Sequence, residues 1–331
     1  MVMQVAKDFT ESKLTIANCK SAKDESVLAD KHTHIRYLIC QYLSFDTLDG
    51  LVQELPEQFE EPQVRHWRFI DWDAIAPEQV HGFDLEVYLN VIAGAVETEI
   101  PIRGYSQTSR QYLERLHPNM ARFVGGTTDM DGTPLAKGLW EREEQRHTPA
   151  LLRIYRQLSG RHLSIDVRDV REFSPSCDPR SDLYRHGMHR IATEYGATCL
   201  YLWLMSHSTG TLRQVWGELL RDEINHMTKF WGFGAWAYPF STPGHLRRVA
   251  MQLAKTVSDR PQANDRHGQS SLPRTLRRMA EVMTWQDWTP GLQAEFSLIC
   301  MRVLIHMLRW SRRLTRDSLK DVFGPLPDVS C

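Results

Sequence analysis

The sequence predicts an all-α protein: a four-helix bundle with additional flanking and C-terminal helices. Three observations carry this reading. Apolar residues recur every three or four positions over four long segments, 85–115, 134–160, 182–207 and 211–237. Alternating β-branched runs are short and few. Within the four segments, glutamate and histidine occupy places where the apolar stripe calls for Leu or Ile.

Taken in order, residues 1–62 form an N-terminal extension. It has a helical pattern at 34–43 and ends in the acidic, Pro-punctuated ELPEQFEEP of 54–62, a connector. The bundle occupies 63–240. GGTTDMDGTP (125–134) is a loop between the first two helices, and FSPSCDPRSD (173–182) a loop between the second and third. Only 208–210 separates the third from the fourth, so those two are expected to be antiparallel neighbours. Residues 241–331 hold three further helical patterns, near 245–256, 273–286 and 290–316, with a polar stretch at 258–271. They are expected to pack on the bundle, giving one domain overall.

Composition narrows the function. The 331 residues are 42% hydrophobic and 24% charged, which suits a soluble globular protein. A net charge of -1 argues against general affinity for nucleic acid. No apolar run approaches the roughly 20 residues that span a bilayer, and the N-terminal MVMQVAKDFTESK lacks the apolar stretch of a signal peptide. A cytoplasmic protein without a membrane span is the expectation. Six cysteines (Cys19, Cys40, Cys177, Cys199, Cys300, Cys331) include no CxxC pair, so neither a zinc knuckle nor an iron–sulfur cluster is indicated. Free thiols are expected. Residues 241–331 carry 14 Lys/Arg against 8 Asp/Glu, a net of +6. Their Arg309, Arg312, Arg313 and Arg316 could meet an acidic partner or simply form a solvated face.

The chemistry-bearing pattern is Glu-x-x-His, which places both side chains on one helical face. Chance alone would produce about one such pair in a chain of this composition; there are four. Glu78/His81 lies between Pro77 and Gly82, without helical periodicity. Glu114/His117 ends a helix before Pro118, where histidine commonly serves the C-terminal dipole. It is also roughly 22 Å along the helix from Glu99, too far to share a site. The other two sit in core stripes: Glu144 and His147 among Trp140, Leu151 and Ile154, Glu223 and His226 among Val215, Leu219 and Phe230. Glu194 lies on the line of Ile191, Thr198 and Tyr201, and Glu99 on that of Ile92, Val96 and Ile102. Glu97, two residues away, is a rival on another face. Pro101 removes the amide that would donate to the Glu97 carbonyl, so the helix should distort beside Glu99. Burying several carboxylates together costs several kcal/mol each, and a metal offsets it. One lone Glu and one Glu-x-x-His pair, twice over, match the ligand set of di-iron carboxylate bundles. Carboxylate and imidazole ligands with open positions suit iron handling oxygen.

These blocks resemble the soluble acyl-acyl-carrier-protein desaturases. The resemblance rests on GLWEREEQRHTPALLRIYRQLSGR (138–161), with its Trp, EE-x-RH and Leu-Ser-Gly-Arg, and on LLRDEINHMTKF (219–230). VETEIPIRGY (96–105) matches the first-ligand helix, a Glu followed six residues later by Tyr, which selects Glu99 over Glu97. ATEYGAT (192–198) matches the third. The likeness covers roughly 63–235. It implies a dimeric ferritin-like enzyme whose two iron ions, held by Glu99, Glu144, His147, Glu194, Glu223 and His226, reduce O2 and draw hydrogen from an unactivated C–H bond. It implies a ferredoxin-type electron donor and a substrate borne on an acyl carrier protein. It also implies a relay of Trp67 (in HWRFIDW) and Asp222 (in RDEINH) to His147, with Trp72 as an alternative to Trp67. Departures bear on the substrate. The family's threonine three residues past the third ligand is Ala197 here, and Thr198 beside it is the candidate for that catalytic role. Residues 125–134 lengthen the first hairpin, and the C-terminal third is unlike the family. A hydroxylase acting on a carrier-tethered or small substrate is the alternative chemistry. A ribonucleotide reductase radical subunit is disfavoured because Leu151 stands where its tyrosine would be. A ferritin-like scaffold holding structural metal is the non-enzymatic alternative.

Overall fold

A computed structural model of the chain describes residues 31–82, 84–164, 173, 175, 177–238, 280, 281 and 283–326. The helical patterns at 245–256 and most of 273–286, the polar stretch 258–271, Cys19 and Cys331 lie outside the described residues.

The described chain is predominantly helical, with two short strands. Helices α1 (Lys31–Tyr42), α2 (Phe45–Gln53) and α3 (Leu55–Glu60) precede α4 (Leu85–Glu99), α5 (Ile102–Leu113) and α6 (Pro118–Gly125). A hairpin of β1 (Thr127–Thr128) and β2 (Pro134–Ala136) follows. Then come α7 (Leu139–Glu144), α8 (His147–Ser159), α9 (Pro179–Ser206), α10 (Gly210–Ala237), α11 (Pro290–Ser311) and α12 (Arg316–Phe323).

Three sequence expectations need correction. The segment 54–62 is more than a connector: Pro56 sits in the first turn of α3, where its missing amide costs nothing, and Leu55 is buried. The segment 85–115 is two helices, not one. Pro101 interrupts them with φ -80° and ψ 24°, the distortion its ring predicts. The segment 134–160 is a strand and two helices. Pro149 has no amide for the Gln145 carbonyl, and the chain turns through Gln145–Arg146 between α7 and α8. The hairpin pairs Thr127 with Ala136. Gly126 enters it at φ +77°, where a Cβ would meet the Ala136 carbonyl oxygen at 1.8 Å, so only glycine fits.

By contrast α9 and α10 run unbroken for 28 residues each. They pack on each other more extensively than any other pair, as the three-residue joint foretells. The N-terminal helices belong to the same core: α2 packs on α10, and Val52 meets Gly232. The C-terminal pattern 290–316 divides at Arg312. Thr315 opens α12 with a reciprocal capping box to Ser318. Among the described helices α11 is long and apolar enough, by length and composition alone, to cross a membrane, although its apolar residues are interrupted by polar ones. Its stripe of Leu292, Phe296, Ile299, Val303, Met307 and Trp310 is buried, and the helix packs on α9. Of the four arginines marked as a partner surface, Arg313 pairs with Asp49 at 2.8 Å, while Arg309, Arg312 and Arg316 are exposed.

Candidate metal centre

Four helical limbs deliver the site. Glu99 is the last residue of α4, Glu144 the last of α7 and His147 the first of α8; Glu194 lies mid-α9, and Glu223 and His226 mid-α10. The six predicted ligands come together, and all are buried. They form two overlapping sets, Glu99–Glu144–His147–Glu223 and Glu144–Glu194–Glu223–His226. In each set, one ligand atom per residue lies within 4.8 Å of the others. Glu99 belongs to the first set, and Glu97 stands outside both.

The atoms converge in a way that hydrogen bonding does not explain. His147 Nδ1 is 3.3 Å from Glu144 Oε2, 3.1 Å from Glu223 Oε1 and 3.7 Å from Glu99 Oε1. His226 Nδ1 is 2.5 Å from Glu144 Oε1 and 3.8 Å from Glu194 Oε2. Yet both Nδ1 atoms, Glu144 Oε1 and Glu223 Oε1 satisfy no hydrogen-bond geometry and are shut off from water. Orphaned polar atoms of this kind carry a desolvation penalty of about 1–3 kcal/mol each. Lone pairs aimed at shared points in a buried, acidic pocket fit metal ions.

Electrostatics agree. Burial, then the Glu144 charge, pushes Glu99 up to about 7, raises Glu194 well above the usual carboxylate range and raises Glu223. Burial opposes a charged imidazole at His147 and His226, but Glu144 and the neighbouring carboxylates raise both well above normal. Without a cation, this cluster retains protons instead. Groups that must shed protons on binding make metal affinity depend on pH.

The far side of each imidazole is anchored. Asp222 Oδ2 lies 3.3 Å from His147 Nε2 and accepts from Trp67 Nε1 at 2.8 Å, which favours Trp67 over Trp72 as its partner. Trp72 instead lies beneath the Arg153 guanidinium. Glu143 Oε2 lies 2.9 Å from His226 Nε2, a partner that reading the sequence missed. The signal was available: Glu143 precedes Glu144 as Asp222 precedes Glu223, so the motif is an acid followed by Glu-x-x-His, twice. Arg65, also missed, clamps both anchors. Its backbone amide donates to Glu143, its Nε to Asp222 at 2.8 Å and its Nη1 to Glu218 at 2.6 Å. Arg146 Nη2 adds a 3.0 Å contact to Asp222. Despite burial, the bonds from the imidazoles hold Asp222 and Glu143 below their ordinary values.

Other expectations fall elsewhere. Thr198 is buried with an unpartnered hydroxyl, while Ala197, not Thr198, lines the cavity beside the cluster. Glu78 and His81 stay away from it, and His81 contacts Thr209 at 3.0 Å. His117 does not serve the C-terminus of α5. It caps the N-terminus of α6, Nδ1 accepting from the Met120 amide at 2.9 Å, and contacts the Phe323 carbonyl through Nε2. Pro118 at the first helical position and a side-chain acceptor before it make that the stronger local signal.

Fold and site thus define a predominantly helical protein with a buried carboxylate–histidine centre able to hold metal. Comparison with family models, curated proteins and solved structures gives no match.

Proposed function

We propose that the chain is an O2-dependent non-haem di-iron oxidase on a ferritin-like four-helix bundle, built to remove hydrogen from an unactivated C–H bond. The observation that carries this is the pair of four-residue sets sharing Glu144 and Glu223. Two iron ions bound there would supply the electrons that reduce O2. Glu144 and Glu223 would serve both ions. Glu99 and His147 would complete one set, Glu194 and His226 the other. Asp222 and Glu143, by accepting from Nε2–H, hold each imidazole in the tautomer whose Nδ1 lone pair faces the cluster. Trp67, half-buried and bonded to Asp222, links the protein surface to His147 and marks the entry for electrons from a ferredoxin-type donor. Ala95, Ile102, Leu200 and Met283 line the adjoining cavity and keep water from the reacting carbon.

By the desaturase resemblance, the substrate class is an acyl chain on an acyl carrier protein, handled by a homodimer. Hydroxylation of a carrier-tethered or small molecule is the second reading, favoured by Ala197 where the family has threonine. The test is to load the protein with iron, reduce it, admit O2 and follow oxygen uptake. Stoichiometric uptake supports the oxidase. A protein that holds iron and leaves O2 untouched is a metal-binding scaffold instead. Product mass then separates loss of two hydrogens from gain of one oxygen atom.

A further inference from the structure

One buried cation beside the cluster is not used by the chemistry above. Arg190 lies one turn before Glu194 on α9, about 6 Å along the helix axis, and is 3% exposed. Its guanidinium rests 5.2 Å from the Tyr105 ring centroid and 5.6 Å from that of Trp140. No salt bridge joins it to a carboxylate among the described residues, and its Nε–H has no hydrogen-bond partner. Trp140, one turn before Glu144, likewise has an unpartnered indole Nε1–H. Both side chains line a cavity of about 70 Å³ that also touches Glu99, Glu144, Glu194 and Glu223. A buried cation without an ion-pair partner is among the costliest features a fold can keep. Two orphaned donors on one cavity wall, Arg190 Nε and Trp140 Nε1, call for an acceptor that the described residues do not provide.

We propose that Arg190, assisted by Trp140, is the docking point for a carboxylate on the substrate. The guanidinium fork matches a carboxylate's two oxygens, and its rings hold it flat for that contact. One positive charge matches one negative charge; a dianionic phosphate would leave excess charge beside four glutamates. The apolar wall of Ile102, Leu200 and Met283 takes the rest of a small acid. Its reacting carbon would then sit roughly one helical turn from the carboxylate, over the cluster. A carrier-bound thioester has no charge to offer at that point, so of the two substrate readings above this assignment takes the small molecule, as a free acid. The proposal that the acid is oxidised rests on the oxidase reading; the docking itself does not.

The test uses the full chain loaded with Zn(II), which fills the site without redox chemistry, and titrates hexanoate against hexanamide by calorimetry. The acid should bind at least about tenfold more tightly than the amide, a gap of about 1.4 kcal/mol. Arg190→Met should erase the preference while zinc content stays unchanged. Arg190→Lys, which keeps the charge but loses the fork, should retain part of it and guards against a folding defect in the Met variant. Equal binding of acid and amide by the wild type, or an undiminished preference in Arg190→Met, overturns the proposal, the latter by placing the anion on the metal. Oxygen uptake by the iron-loaded protein is read separately, so either claim can fail while the other stands.

Discussion

The two hairpins that build the centre deliver equivalent ligands by different means. In the second, α9 and α10 are continuous, and helical register alone sets Glu194, Glu223 and His226 on the inner face. In the first, each ligand sits at a break. Glu99 ends α4 ahead of Pro101, while Glu144 and His147 flank the Gln145–Arg146 turn ahead of Pro149. A broken helix gives up the rigidity of register, and side chains supply it instead. The Tyr201 hydroxyl donates to Glu99 at 3.0 Å. Arg103 and Ser106 hold the buried Glu141 of α7, the latter at 2.8 Å. Arg65 ties Glu143 to Asp222. Proline breaks thus buy a reorientation of three ligands at the cost of extra clamps.

The sharpest break in this comparison comes from the shared glutamates. Glu144→Ala and Glu223→Ala should each empty both metal positions, although one residue ends a helix and the other lies mid-helix. Glu99→Ala and Glu194→Ala should each lower bound iron to about half. Metal analysis of the purified variants decides it. Full loading in Glu144→Ala would sink the shared-ligand assignment.

Next come the two anchors. Asp222→Asn and Glu143→Gln should each weaken metal affinity by about 10–100-fold, the usual range for outer partners of a ligating histidine. Asp222→Asn should be the larger, because Arg65, Arg146 and Trp67 all converge on Asp222 and would lose their anion. Competition with a chelator of known affinity measures both. Equal effects would mean that the clamp of the broken half adds nothing.

The same contrast explains what could be read in advance. The unbroken helices and the six residues that converge were legible because apolar periodicity and a charge in its place are local signals, with Glu99 separated from Glu97 only by the desaturase resemblance. The distortion at Pro101 was legible as well, since its consequence for the Glu97 carbonyl is a local rule, but not that it would divide the segment into two helices. Pro149 was equally visible but lay within a long apolar stripe that argued for one helix, and the stripe won. Glu143 and Arg65 were not legible singly. A carboxylate beside a ligand looks like surface charge until another segment covers it, and Arg65 meets Asp222 and Glu218 across more than 150 residues of chain. The strand at Pro134–Ala136 exists only because Gly126 and Gly132, both at positive φ, turn the chain back.

Smaller still is the effect expected for Tyr201→Phe. Tyr201 belongs to the continuous half yet steadies Glu99 of the broken one. Removing one hydroxyl should lower affinity at the Glu99 position by about tenfold or less, the range of a typical net hydrogen bond of about 0.5–1.5 kcal/mol. The Glu194 position should be untouched. Cobalt(II) binding isotherms, followed by the visible bands of the bound ion, would resolve the two steps. A change at both positions would show that the halves are not independently supported.

The smallest effect concerns His117, which braces the broken half from outside by capping α6 and contacting the end of α12. Burial holds its pKa below the ordinary value of 6.5, against weaker opposing contributions from its backbone hydrogen bonds. The folded state therefore takes up this proton later than the unfolded chain. The stability His117 contributes is fully present above pH 6.5 and is lost as the pH falls from there through the lower folded value. The limiting slope is about 1.4 kcal/mol per pH unit. Protonation would place a donor on Nδ1 opposite the Met120 amide, which breaks the cap. In His117→Asn a good capping side chain remains but cannot titrate. Melting temperatures at about pH 7 and about pH 5 should fall further in the wild type than in His117→Asn, both measured with metal removed. Parallel melting curves at the two pH values would show that the cap does not titrate with folding.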